Sequence, residues 1–281
     1  MRPSPEVNEL ILGVLGRAQA KYSIELYAFV FLSNHFHILM RADSPHQMAR
    51  FIGFLKANIA KELGRLHGWR EKFWGRRYHS ASLADSESTQ IARFRYLLAN
   101  GCKEGLVDSP LSWPGVSSAP SLYSGRETLR GVWFDRTAEH RSRPSSAGKR
   151  FPCDETVRLT PLPFLADRRL DERRAFVVDA IRQIEGETRA RHRRECTKPR
   201  GARFVTKRAP HSQPSAFHPS SAPLFHAKTR RELRQMRFAR ALKVALYRDA
   251  AIRLRGGARG VQFPEGCFPP PGPFVVSRGP P

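Results

Sequence analysis

The run Phe31-Leu32-Ser33-Asn34-His35-Phe36-His37-Ile38-Leu39-Met40 decides how the first half of this 281-residue chain is read. Its residue types are those of a β-strand, and Ser33-Asn34 reads as a short turn. Side chains alternate faces along a strand, so His35 and His37 face the same way, roughly 6–7 Å apart. Phe36 and Ile38 face the opposite way, toward whatever the sheet packs on. Two imidazoles on one face can share a divalent metal ion. They can equally be two polar residues on the wet face of an edge strand.

Working outward, Ile24–Leu32 is rich in β-branched and aromatic residues and forms the first strand of a hairpin whose second strand is His35–Arg41. Before it, Val7, Leu10, Ile11, Val14, Leu15 and Ala18 recur at helical spacing over Pro5–Lys21. After it, Asp43 or Ser44 can cap a helix whose first turn holds Pro45. That helix carries the apolar stripe Met48, Phe51, Ile52, Leu55, Ile59, Leu63 and Leu66, and Gly68 can end it. Phe73–His79 is predicted to be another strand, with Trp74 and Tyr78 on one face. A third helix, capped by Asp85 or Ser86, runs to Asn100 or Lys103. This order predicts an α+β fold, a ferredoxin-like sandwich with an antiparallel sheet and helices on one face.

Charge divides the chain. Residues 1–120 hold 15 of the 49 Lys and Arg and 10 of the 25 Asp and Glu, a net +5; the remainder carries the other +19. Such a field attracts polyanions. Two domains are expected, 1–120 and a basic region 121–281. The second has helices near 168–194 and 229–255, and Pro-, Ser- and Arg-rich linkers at His140–Lys149 and Lys198–Pro223. The 229–255 segment interleaves Leu233, Met236, Leu242 and Leu246 with Arg230, Arg234, Arg237 and Arg240, a basic amphipathic pattern. No apolar stretch reaches the roughly 20 residues that span a bilayer, and the first residues do not read as a signal peptide. Cys102, Cys153, Cys196 and Cys267 are far apart, without a Cys-x-x-Cys pair, which favours free thiols in a cytoplasmic protein.

The third helix supplies a candidate nucleophile. Ile91, Phe94, Leu97 and Leu98 fall on one side and form a complete core stripe without Tyr96, which falls nearly opposite. Arg93, Asn100 and Lys103 share the side of Tyr96, so a phenol, an amide and cations are placed to meet a phosphodiester. A phenol with a pKa near 10 is a weak nucleophile. A metal ion held by His35 and His37 would polarise the scissile phosphate for it. Arg76 and Arg77 beside Tyr78 suit contact with a single strand, since cationic and aromatic groups together bind phosphates and bases. Tyr78 is the reserve nucleophile.

Taken in order, Asn34-His35-Phe36-His37, Phe73-Trp74-Gly75-Arg76-Arg77-Tyr78, Arg95-Tyr96-Leu97-Leu98-Ala99-Asn100 and Gly105-Leu106-Val107, then Trp113 and Ser117-Ser118, resemble the one-tyrosine HUH transposases, in particular the REP-associated tyrosine transposases of bacteria. The resemblance spans residues 5–120. It implies cleavage and rejoining of single-stranded DNA, often at a hairpin or inverted repeat, by a monomer or homodimer in the bacterial cytoplasm at the nucleoid. It also implies Mg²⁺ or Mn²⁺ held by His35 and His37 with Asn100, Tyr96 as nucleophile, and Arg76, Arg77, Arg93 and Lys103 against DNA. The alternative is an inactive or domesticated DNA-binding descendant of such an enzyme. Two departures stand out. The family's usual strand before the first helix has no counterpart here, so the sheet is expected to lack a member. The family's Asn-Pro-Val-Arg-Ala is replaced by Asn100-Gly101-Cys102-Lys103-Glu104.

Overall fold

A computed structural model describes residues 1–75, 77–141, 151–209 and 223–272. Helix α1 (Pro5–Tyr22) starts where Ser4 accepts a hydrogen bond from the Val7 amide with Pro5 in the first turn, and ends at Ser23 in the left-handed region. Strands β1 (Glu25–Phe31) and β2 (Phe36–Arg41) form the expected antiparallel hairpin, with Val30 opposite His37 and Phe31 opposite Phe36. Helix α2 (Pro45–His67) is capped by Ser44 and stopped by Gly68 at φ 64°, a conformation that glycine adopts without strain.

Helices cover both faces of this hairpin, not one. Leu26, Phe29 and Phe31 of β1 pack with α1 and α2, whereas Tyr27, Ala28, Val30 and Leu32 pack with α3 (Glu87–Leu98) and α7 (Leu170–Arg194). A bulge between Leu26 and Ala28 resets the alternation. The cause is legible in Glu25-Leu26-Tyr27-Ala28-Phe29-Val30-Phe31: after Glu25 every residue is apolar or aromatic and every one is buried, the signature of a strand covered on two sides.

The remaining elements close around that centre. Helix α4 (Asn100–Lys103) follows α3 directly, and α5 is Ala119–Tyr123. The outer edge of β1 is bonded by Val116–Ser118 and by Leu159–Thr160: the Phe31 amide donates to Val116 and the Thr160 amide to the Leu26 carbonyl. From Leu159 the hairpin β4 (Thr128–Phe134) and β5 (Pro152–Arg158) folds over α1. There Gly13 and Gly131 bring two backbones into contact, since a Cβ on Gly13 would stand 2.0 Å from the Val132 carbonyl oxygen. Helix α6 (Arg136–Arg141) supplies Arg136, whose guanidinium clasps the buried Glu62 carboxylate of α2, itself also paired with Arg65.

Several expectations need correction. Residues 73–75 and 77–81 form no strand; Trp74 instead anchors the segment by donating to the Lys56 carbonyl and packing on Phe36. A short strand β3 (Ser82–Leu83) follows, and its partner is β6 (Phe225–His226), in parallel. The division at residue 120 does not separate two cores, because Val157, Leu159, Val177, Ile181 and Val205 are buried among residues of the first 120. The expected helices at 168–194 and 229–255 are present as α7 and as α9 (Arg230–Arg255), the latter with a Thr229–Glu232 capping box. Part of the expected 198–223 linker is helix α8 (Ala202–Lys207); residues 210–222 and 142–150 lie outside the described residues. The outer edge of β2 has no strand partner among the described residues. No described helix is long and apolar enough to cross a membrane.

Two stability outcomes follow from these contacts. Gly13→Ala should lower the unfolding free energy by about 3 kcal/mol in urea titration, because the obstacle is rigid backbone. Arg136→Ala should lower it by about 2–3 kcal/mol, since the Glu62 carboxylate stays buried with one partner fewer.

Candidate active site

His35 and His37 do face the same way. Their ring centroids are 5.0 Å apart, edge to face. His35 closes the turn, its carbonyl accepting from the Leu32 amide while its Nδ1 lies 2.7 Å from Asn34 Oδ1. His37 is in register opposite Val30 and shares its face with Leu39, which is buried under α3. The histidines are therefore presented toward α3, while Phe36, Ile38 and Met40 pack on the α1–α2 core.

On α3, Phe94, Leu97 and Leu98 are buried and Tyr96 is 40% exposed, as the helical phase requires. The Tyr96 ring stands edge-on to His37 at 6.1 Å between centroids. Lys103 Nζ lies 3.6 Å from the centre of that ring, and the Arg93 guanidinium 5.2 Å. Strand β2 and helices α3 and α4 thus bring together His37, Tyr96, Arg93 and Lys103, with His35 against His37. Arg191 of α7 donates to the carbonyls of Cys102 and Lys103, tying the end of α4, and so Lys103, in place.

Electrostatics keep the imidazoles uncharged. Burial first, then His35 and Lys103, push the His37 pKa down to about 4; burial also lowers that of His35, with Glu104 acting in the opposite sense. A neutral imidazole offers the lone pair that a metal ion needs. The pair therefore fits a divalent ion as a two-ligand site. No third His, Cys, Asp or Glu joins them at ligating distance among the described residues, so further positions would fall to phosphate oxygens and water.

Asn100 is placed differently from the expectation. It is 3% exposed, and its amide donates to the carbonyls of Tyr96 and Leu97. The helix breaks at Ala99 (φ −73°, ψ −3°), so a residue one turn after Tyr96 no longer shares its exposed side. On these contacts Asn100 clamps the turn that carries Tyr96. Arg77 is exposed on the irregular 73–81 segment, and Arg76 lies outside the described residues. Tyr78, half-buried, lines the same groove as Tyr96 and His37. Sequence reading missed Glu104, His79 and His226 as neighbours of the site. His226 reaches the groove only through the β3–β6 pairing, which has no local signal.

This geometry agrees with what comparison finds. Residues 4–97 match the family model described as "Transposase IS200 like", about a third of the chain and the part that holds the hairpin and Tyr96. This region is similar to IS200-like transposases, which supports the single-tyrosine HUH transposase family for it. A transposase acts on DNA, so DNA is the partner that the match implies. Neither a curated protein nor a solved structure matches the chain.

The Asn100 clamp predicts that Asn100→Ala will lower the unfolding free energy by about 1–3 kcal/mol, read by chemical denaturation, as a buried polar contact is lost.

Proposed function

We propose that the protein cleaves and rejoins single-stranded DNA through a covalent 5′-phosphotyrosine on Tyr96. The observation that carries this reading is the 6.1 Å approach of the Tyr96 ring to His37, on the face opposite the Phe94–Leu97–Leu98 core stripe. A tyrosine needed only for packing would face that stripe. This one is held half in solvent, between two cations and the neutral imidazole of His37.

His35 and His37 would hold Mg²⁺ or Mn²⁺, which supplies Lewis-acid polarisation of the scissile phosphate and of the leaving oxygen. Arg93 and Lys103 draw the phosphate to Tyr96 and offset its charge as the phenol oxygen approaches. Tyr96 Oη bonds to phosphorus and gives up its proton. The bond from phosphorus to the 3′ oxygen breaks, and that oxygen leaves as a 3′-hydroxyl with a proton. The downstream strand stays on the enzyme by its 5′ phosphate. One phosphodiester replaces another, so a later 3′-hydroxyl can reverse the step with no external energy.

The test uses the full chain, a labelled single-stranded hairpin oligonucleotide and Mn²⁺. Wild type should yield a covalent adduct that survives a denaturing gel, and Tyr96→Phe should reduce it by at least about 10³-fold. Binding without any adduct in the wild type would instead support an inactive DNA-binding descendant. Calorimetric titration with Mn²⁺ alone should show binding in the wild type and its loss in His37→Ala, with the melting temperature changed by only a few degrees.

A further inference from the structure

Two grooves meet at Tyr96, and they differ in chemistry. One, between α3 and α7, carries a net positive charge: Arg93, Arg95, Lys103 and Arg191 line it, with Glu187 as the one carboxylate in that lining, paired to Arg95. The other runs along the outer edge of β2, which has no strand partner among the described residues. Its floor is apolar, from Ile38, Met40, Met48 and Ile52, and its rim carries Tyr78, His79, Arg93 and His226.

His226 comes from far along the chain. The parallel pairing of β6 with β3 delivers it, with the Ser82 amide donating to the Leu224 carbonyl and the Ala84 amide to the His226 carbonyl. The Lys228 amide donates to Thr89 Oγ1, fixing the same segment to the first turn of α3. His226 lies within electrostatic reach of Arg93 and His79 and is held below its ordinary pKa, chiefly by burial, so it presents an uncharged ring.

We propose that this second groove is a pocket for one unpaired nucleobase next to the scissile phosphate, with the rings of His79 and His226 as its walls. The inference rests on Tyr96 being the nucleophile. The sorting of charge decides the occupant. A phosphate belongs in the cationic trough, where guanidinium and ammonium groups converge. A nucleobase has apolar faces and a polar edge, which match an apolar floor under an aromatic rim. Both grooves share Arg93 and the ring of Tyr96, so a strand crossing the tyrosine can place its backbone on one side and a base on the other.

The test measures base-dependent binding without cleavage. Fluorescence anisotropy in EDTA compares twelve-residue homopolymers of T, A and C with an abasic strand of the same backbone. Wild type should bind its best homopolymer at least about tenfold more tightly than the abasic strand, given the energy of stacking. His79→Ala with His226→Ala should bring that ratio to within about twofold, while affinity for the abasic strand, which also reports folding, stays within about twofold. His226→Phe in the His79→Ala background should restore part of the ratio. Equal wild-type affinity for homopolymer and abasic strand, or a double variant that keeps the wild-type ratio, would overturn the pocket. Tyr96→Phe separates the two readings: it should abolish the adduct and preserve the ratio. A ratio that stands while wild type forms no adduct would leave the base pocket and remove the nucleophile.

Discussion

Burial of β1 on both faces is the constraint from which the rest of the structure follows. One strand of seven residues serves two cores, with Phe29 and Phe31 under α1 and α2, and Ala28 and Val30 under α3 and α7. A one-residue slip would exchange those sets, so the register of β2 against β1 is strongly specified. Register in turn decides where His37 points. Opposite Val30, it faces α3, and the stripe of α3 that packs on the same face leaves Tyr96 beside it. The candidate chemistry is thus positioned by packing that is mostly apolar.

The basic C-terminal portion is structural as well as charged. Arg191 ties down the end of α4, α7 closes the second core, and β6 carries His226 to the groove. A charge excess of +19 beyond residue 120 is therefore more than a solvated tail. Its described parts place Arg191 on one side of Tyr96 and His226 on the other. Helix α9 differs: it leaves Phe238, Leu242 and Leu246 exposed.

Elements with local signals were legible in the sequence. Ser44 before proline, Gly68 after an apolar stripe, and the two-residue period of the histidine strand each act over a few residues, and each appears where the pattern puts it. Features set by distant contacts were not. Phe73–His79 alternates like a strand, yet the Trp74 indole and its bond to Lys56 settle it as an irregular wall. Parallel pairing of Ser82–Leu83 with Phe225–His226 leaves no mark on either dipeptide. Asn100 misled because a helical wheel assumes an unbroken helix, and the break at Ala99 turns its amide inward. Gly13 and Gly131 carried no periodic signal at all, although their contact lets β4–β5 settle on α1.

The central claim is that the hairpin histidines and Tyr96 form one site whose nucleophile is that phenol. Tryptic digestion of the trapped protein–DNA adduct, followed by nuclease treatment and mass spectrometry, addresses it directly, because Arg95 and Lys103 isolate the peptide Tyr96–Lys103. The account predicts a 5′-phosphonucleotide on Tyr96 in that peptide and none elsewhere. The same modification on Tyr78, or on any residue other than Tyr96, would contradict it.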